Sequence, residues 1–348
     1  MNINKKISVG VLGATGSVGQ KFISLLQNHP FFELKEIAAS DRSAGKKYSD
    51  AVNWILSDSL PESVANMVVK SCTDKFESKL LFSAMDASVA GEIETELAGR
   101  GHFIASNSKN HRWDADVPLL VPEVNADHLG LVKTQNYNGG GIVTNPNCST
   151  IGLVLALKPI LDNFGIEQLN VVTMQALSGA GYPGVSSLDI IDNVVPFIGG
   201  EEEKLETEPK KIFGKFAGIA IELAEMKISA QTNRVSVIDG HLETVQIKLR
   251  DKASVKDILE VWSKFKAEPQ EFDLPFAPKQ PIHYFTEHKY PQPRLHRNLD
   301  KGMACATGRL RHCNLFDYKF VVLSHNTVRG AAGGSILCAE MMVAKGMI

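Results

Sequence analysis

Lys6–His29 reads KISVGVLGATGSVGQKFISLLQNH, and this stretch decides the fold. The apolar run from Ile7 to Leu12 predicts a buried parallel strand. Gly13, Gly16 and Gly19 follow at intervals of three, and Phe22, Ile23, Leu25 and Leu26 then take helical spacing. A strand, a glycine turn and a helix in that order can hold a pyrophosphate. Gly13 permits the tight turn, Gly16 lets the backbone approach the phosphates, Gly19 allows close helix–strand packing, and the helix N-terminus supplies N–H donors. The spacing is GxxGxxG in place of the usual GxGxxG, so the placement between strand and helix carries the dinucleotide reading.

The pattern repeats outward from there. FELKEIAAS (32–40) predicts the next strand and runs into SDRSAGKKY (40–48). A carboxylate at this strand end suits the ribose 2′-hydroxyl of NAD, whereas an arginine accommodates a 2′-phosphate. Asp41 is followed at once by Arg42 and Ser43, with Lys46 and Lys47 behind, which favours NADP and leaves room for NAD. KLLFSAMDASVAGEIETELAGRG (79–101) reads as strand, loop and helix, and HFIASNSKNHRW (102–113) as a further strand and loop. Alternating strands and helices predict a doubly wound parallel sheet that binds ligands at its carboxyl ends, where Ser83 falls. Arg112 is a candidate anion ligand, since a guanidinium grips phosphate or carboxylate bidentately.

TNPNCSTI (144–151) precedes the apolar run IGLVLALKPIL (151–161), which places Cys148 at a helix N-terminus. Unpaired N–H groups and the helix dipole there favour a thiolate. Beyond it, QLNVVTMQALSGAG (168–181), RVSVIDGHLETVQIKLR (234–250) and FDYKFVVLSHN (316–326) predict long alternating strands of a mixed α+β second domain. His241 is the candidate base. Arg234 lies seven residues earlier, on the opposite face of a regular strand, so a bulge or turn at Asp239–Gly240 is needed to bring both to one site. The proline-rich 267–298 interval reads as an excursion or edge-covering loop. NTVRGAAGGSILCAEMMVAKGMI (326–348) reads as an amphipathic helix, entered through a glycine turn and packed back on the first domain.

Composition narrows the class. A chain of 348 residues, 44% hydrophobic, is long enough for two cores. Net charge is −2 with both signs interspersed, which excludes a nucleic-acid surface. The five cysteines are scattered, without a CxxC pair, and read as reduced thiols rather than a disulfide framework or zinc site. His283, His288, His296 and His312 lack ligand spacing, so no metal is expected. Without a signal-like segment or a membrane-length apolar run, the expectation is a cytoplasmic protein.

Six stretches together carry a resemblance: GATGSVG, SNSKNHRWDADVPLLVPEVN, TNPNCST, QALSGAGYPGVSSLDIIDNVVPFIGGEEEK, NRVSVIDGH and HNTVRGAAGGSILCAE. In this order, over essentially the whole chain, they resemble the aspartate-semialdehyde dehydrogenase family, particularly its archaeal and fungal branch. The resemblance implies a Rossmann-type NADP-binding domain over residues 1–147 with the C-terminal helix 327–348, and a catalytic and dimerisation domain over 148–326. It implies Cys148 as nucleophile, His241 as general acid/base, and Gln175 and Arg234 holding the substrate carboxylate and orienting the thio-adduct. Glu202 would meet the substrate ammonium, and Arg112, Asn147 and Lys204 the phosphate. Gly13, Thr15, Gly16, Ser17 and Val18 would line the pyrophosphate turn. Ser40, Arg42 and Ser43 would take the adenosine end, and Ser83, Ser178, Gly179 and Asn326 the nicotinamide end.

The implied reaction is reversible, NADPH-dependent reductive dephosphorylation of aspartyl 4-phosphate to aspartate 4-semialdehyde, feeding lysine, methionine and threonine synthesis. A homodimer, or a doubled tetramer, is also implied. Two other readings remain open in the sequence: a malonyl- or succinyl-CoA reductase on the same fold, and a non-catalytic nucleotide-binding redox sensor. N-acetylglutamyl-phosphate reductase is disfavoured, because its acylated amine would not suit Glu202. Trp113 stands where family members often carry methionine.

Overall fold

The computed structural model describes residues 5–348. Its first half contains β1 (Ile7–Leu12), α1 (Ser17–Leu25), β2 (Phe32–Ala39), β3 (Lys70–Ser71), β4 (Leu80–Ser83), α2 (Ala87–Gly99), β5 (Phe103–Ser106) and β6 (Gly141–Thr144). The strands pair in parallel in the order β3-β2-β1-β4-β5-β6. Strand order reverses beside β1, and a doubly wound sheet opens a crevice outside its carboxyl ends at such a point. The register aligns Leu12, Ser83, Ser106 and Thr144 across the sheet. The residues that follow these strands therefore share one rim.

The long helix α3 (Cys148–Phe164) leaves that rim and runs into a second core. Its Leu153, Ala156, Leu157 and Ile160 pack with Leu169, Val171, Val245, Ile247, Trp262 and Phe320. After α3 come β7 (Ile166–Gln175), α4 (Glu201–Ile212), β8 (Lys227–Arg234), β9 (His241–Leu249) and α5 (Val255–Lys264). Trp262 of α5 is fully buried and donates its Nε1–H to Ala156 O at 2.8 Å, so its one polar group is satisfied. Truncating a residue so placed costs about 3–5 kcal/mol. Finally β10 (Ile282–Phe285), β11 (Cys305–His312) and β12 (Tyr318–Ser324) complete a sheet of order β8-β7-β9-β12-β11-β10. Its middle pairs are antiparallel and both edge pairs parallel. Among the described residues, no helix is long and apolar enough to cross a membrane.

Three elements differ from expectation. The 234–250 stretch is not one strand: β8 ends at Arg234, the chain turns through Val235–Gly240, and β9 begins at His241. Gly240 makes that turn with φ +97°, a value L side chains rarely adopt. The proline-rich interval does more than cover an edge, because it supplies the edge strand β10 itself. The C-terminal helix α6 (Gly333–Ala344) is buried all round through Val343 rather than amphipathic, and a π-helical turn at Val328–Ala332 precedes it. Ile336, Leu337, Met341 and Met342 join Val9, Val11, Phe82 and Phe103 in the first core, and an enclosed helix needs no polar face.

Candidate active site

Two cavities meet at the rim of the parallel sheet. One, of about 620 Å³, is lined by Gly13, Thr15, Gly16, Ser17, Val18, Ser40 and Asp41 among others. The other, of about 580 Å³, is lined by Asn147, Cys148, Arg112, Ser178, Gly179, Glu201, Lys204, Arg234 and Asn326 among others. Ser17, Val18, Met85, Asp86 and Asn107 border both, so the cavities are continuous.

The first cavity fits a dinucleotide. Gly13 has φ +72°, and a Cβ there would stand 2.6 Å from Ala84 O, so only glycine makes the turn. Gly16 caps α1 without a side-chain hydrogen bond, which leaves the helix's first N–H groups facing the cleft. At the adenosine end Ser40 and Asp41 line the cleft, with exposed Arg42 and half-buried Ser43 next in the chain. Ser83 does not line it. It is fully buried beneath the rim with its hydroxyl unpartnered, and the residues after it, Ala84, Met85 and Asp86, form the wall.

In the second cavity, Cys148 is the first residue of α3 and Asn147 is its N-cap. Asn147 Oδ1 accepts from the Ser149 and Thr150 N–H groups at 2.9 and 3.4 Å. Cys148 Sγ lies 3.2 Å from His241 Nε2. The second sheet assembles the rest: Arg234 at the end of β8 is in register with Gln175 at the end of β7, and Leu242↔Met174 pairing sets His241 beside that same end. The turn at Gly240 thus does what the Arg234–His241 spacing required. A Cβ on Gly179 would stand 2.9 Å from Arg234 Nη1 and 3.1 Å from His241 Cε1, so Gly179 keeps this corner open. His241 and Gln175 are fully buried and sit behind the cavity surface rather than on it.

His241 Nδ1 accepts the Ala176 N–H at 3.0 Å, so the proton of the neutral ring resides on Nε2 and points at Sγ. Burial, and then Arg234, lower the His241 pKa to about 3. Burial pushes the Cys148 thiol up to about 12, reinforced by Glu201 and opposed by Arg112, Arg234 and Lys204. Burial and Glu201 therefore oppose the thiolate that the helix N-terminus and the three cations favour.

Glu202 is the clearest correction. Its Oε1 accepts the Thr232 N–H at 3.0 Å on the far side of α4, away from the cavity. Glu201 faces the site instead: Oε1 accepts from Lys204 Nζ at 2.6 Å, and Oε2 from Asn147 Nδ2 at 2.7 Å and Gln175 Nε2 at 3.2 Å. On a helix, residues three apart share a face and residues two apart do not. Glu201 therefore follows Lys204 into the cavity, and Glu202 does not. Burial opposes ionisation of Glu201, but Lys204, Asn147 and Gln175 together hold its pKa below the usual range.

Sequence reasoning also missed two residues that fix Arg112. Glu208 accepts from Arg112 Nη1 at 2.7 Å and from the Asn147 N–H at 2.7 Å, joining the guanidinium to the nucleophile's cap. Lys211 Nζ donates to the Arg112, Asp114 and Val117 carbonyls at 2.8, 2.8 and 2.9 Å. A signal was present: Glu201, Lys204, Glu208 and Lys211 follow a helical three-four-three stripe of charge, which is unusual for a buried face. Asn326 Nδ2 donates to Ser178 Oγ at 2.8 Å and its Oδ1 accepts the Gly240 N–H at 2.8 Å, tying the nicotinamide-end residues to the turn before His241. Trp113 is half exposed beside Lys211 and does not line the cavity.

A dinucleotide-type cleft continuous with a cavity that half-buried Cys148 lines, its sulfur against a buried histidine and with cations and one carboxylate around it, defines a cysteine-dependent dehydrogenase. The description "Semialdehyde dehydrogenase, NAD binding domain" matches residues 8–132, and "Semialdehyde dehydrogenase, dimerisation domain" matches residues 157–329. The chain is 49% identical to an aspartate-semialdehyde dehydrogenase of Schizosaccharomyces pombe, over 98% of this chain and 99% of that one. It is 48% identical to one of Archaeoglobus fulgidus, over 99% and 100% of the two chains. A crystal structure of aspartate semialdehyde dehydrogenase with NADP from Candida albicans superposes with a TM-score of 0.91 at 44% identity, covering 99% of this chain and 100% of that one. The chain belongs to the aspartate-semialdehyde dehydrogenase family.

Proposed function

We propose that this protein is an NADP-dependent, phosphorylating aspartate-semialdehyde dehydrogenase, with residues 1–147 and 327–348 serving the cofactor and residues 148–326 serving catalysis and dimerisation. The observation that carries the reading is the 3.2 Å contact of Cys148 Sγ with His241 Nε2, in the cavity that is continuous with the dinucleotide cleft. NADPH bound in the first cavity would supply hydride. The glycine turn and α1 N-terminus would hold its pyrophosphate, and Ser178, Gly179 and Asn326 its nicotinamide end.

Arg234 and Gln175 orient the substrate carboxylate, Glu201 takes the ammonium, and Arg112, Lys204 and Asn147 take the phosphate. Binding of an ammonium at Glu201 offsets the carboxylate that, after burial, raises the Cys148 pKa, and Arg112, Arg234 and Lys204 favour the anion. The Sγ proton leaves to solvent through the cavity that Cys148 lines. The thiolate attacks the acyl carbon of aspartyl 4-phosphate, the C–O bond to phosphate breaks, and a thioester remains. Addition of hydride to its carbonyl gives an oxyanion beside the His241 Nε2–H. The carbonyl then re-forms, the C–S bond breaks, and the semialdehyde leaves as the thiolate returns to the same N–H donor. His241 thus holds its proton at Nε2 as a donor to whichever atom carries the negative charge. His241 is fully buried and Cys148 half-buried, so substrate seated over Sγ covers the one side of the thioester that the cavity leaves open to water.

The residues assigned to substrate resemble what an amino acid bearing an acyl phosphate requires: two anionic groups met by cations, one ammonium met by a carboxylate. A cytoplasmic homodimer is part of this reading. The test is NADP reduction on adding aspartate 4-semialdehyde, with and without phosphate, in the wild type and in Cys148→Ser. Turnover that needs phosphate and is lost in the variant supports the proposal. Turnover with coenzyme A in place of phosphate would overturn it.

A further inference from the structure

Tyr182 projects from the segment that follows Ser178 and Gly179, and it reaches across from the second sheet's loops to the wall of the dinucleotide cleft. It is 63% exposed, so its ring stands out from the loop into the cleft. Gly181 (φ +75°) and Gly184 (φ +83°) bracket it, so the backbone bends sharply on either side to present the ring there.

The hydroxyl is not left to rotate freely. Asn53 Nδ2 donates to Tyr182 Oη at 3.2 Å. Asn53 is in turn fixed to the phosphate turn through Gln20, a buried residue of α1: Gln20 Nε2 donates to Asn53 O at 2.9 Å and to Thr15 O at 3.0 Å, and Gln20 Oε1 accepts the Ile55 N–H at 2.9 Å. Because the tyrosine oxygen accepts from Asn53, its own O–H remains a free donor. Tyr182 lines the same cavity as Gly13, Thr15, Gly16 and Ser17, where the α1 N-terminus offers N–H groups to phosphate.

We propose that Tyr182 is a cofactor-contact residue, donating its hydroxyl hydrogen to a pyrophosphate oxygen of the dinucleotide and so linking the loop that carries Ser178 and Gly179 to the bound cofactor. The proposal rests on the dehydrogenase reading above. It adds a phosphate donor delivered from the second sheet's side of the cleft to those supplied by the glycine turn.

Direct titration tests it, with NADPH and adenosine 2′-monophosphate as probes; the latter has the 2′-phosphate but no pyrophosphate. Tight NADPH binding by the wild type supports the underlying reading, and its absence would sink that reading before Tyr182 is considered. A charge-assisted hydrogen bond lost in Tyr182→Phe should weaken NADPH about tenfold while changing adenosine 2′-monophosphate less than about twofold. Asn53→Ala should weaken NADPH by a smaller factor, and the double variant should bind no more weakly than Tyr182→Phe alone, because both act through one hydroxyl. Unchanged NADPH affinity in Tyr182→Phe, or an equal loss with both probes, would overturn the assignment.

Discussion

Gly330 lies against Cys148 so closely that a Cβ built on it would stand 2.8 Å from both Cα and Cβ of the cysteine. The π-helical turn at Val328–Ala332 therefore forms the back wall of the nucleophile's site. Gly330→Ala must push the start of α3 or the turn aside. Because a displacement near 1 Å costs on the order of a hundredfold in rate, kcat should fall by about that factor. Thermal unfolding should shift far less. Steady-state kinetics beside a melting curve will show whether the loss is one of geometry.

The same turn is held by Arg329, whose guanidinium meets Glu123 in a bidentate pair at 2.7 and 2.6 Å, both side chains fully buried. Breaking such a pair by removing one partner leaves an uncompensated buried charge and costs about 3–5 kcal/mol. Arg329→Met should lose that much stability in urea unfolding. Adding Glu123→Gln should recover part of it, since the stranded carboxylate is then gone.

Glu201 and Glu202 separate the geometric assignment from the sequence-based one. Glu201→Gln removes the charge proposed for the substrate ammonium and should lower kcat/KM by about a hundredfold or more, as expected for an interaction with a charged group in a buried site. Glu202→Gln changes only a bond to the Thr232 N–H, and kcat/KM should stay within about threefold. The reverse ranking would return the role to Glu202.

Glu243 is fully buried two residues from His241, and neither carboxyl oxygen has a partner. Burial pushes its pKa well above the usual range, so the folded protein carries it protonated. The unfolded chain releases that proton once pH passes the ordinary carboxyl value, and the folded chain does not. Wild-type stability relative to Glu243→Gln should therefore fall as pH rises, by about 1.4 kcal/mol per unit until the raised folded pKa is reached, and should be flat below about pH 4. Denaturant midpoints of both proteins at about pH 5 and about pH 8 will show the slope or its absence.

Local signals made the dinucleotide half legible. Ile7–Leu12, the three glycines and the helical spacing of Phe22, Ile23 and Leu26 are neighbours in the chain, so periodicity and turn chemistry suffice to place them. Cys148 at the head of α3 was legible for the same reason. Arg112 was readable as an anion ligand, but not its anchors Glu208 and Lys211, which lie nearly a hundred residues away in sequence. Three consecutive glutamates look alike until the helix phase is known, and the phase turns Glu201, not Glu202, toward the cavity. Gly200, with φ +71° at the N-cap, sets where that helix starts. The placement of β7 between β8 and β9, which brings Arg234 and His241 to one end of the sheet, is a pairing choice no local pattern specifies. For Cys148, the helix N-terminus that favours a thiolate is a local signal, whereas the burial that opposes it is a tertiary property.

The central claim is that Cys148 carries the acyl group as a thioester that phosphate later removes. The direct measurement is rapid mixing of the enzyme with aspartate 4-semialdehyde and NADP in the absence of phosphate, following NADPH and the intact mass of the protein. The expected result is a burst of one NADPH per active site and an aspartyl adduct on Cys148, both absent in Cys148→Ser and the adduct cleared on adding phosphate. Phosphate-dependent turnover without a burst or an adduct would contradict the covalent account.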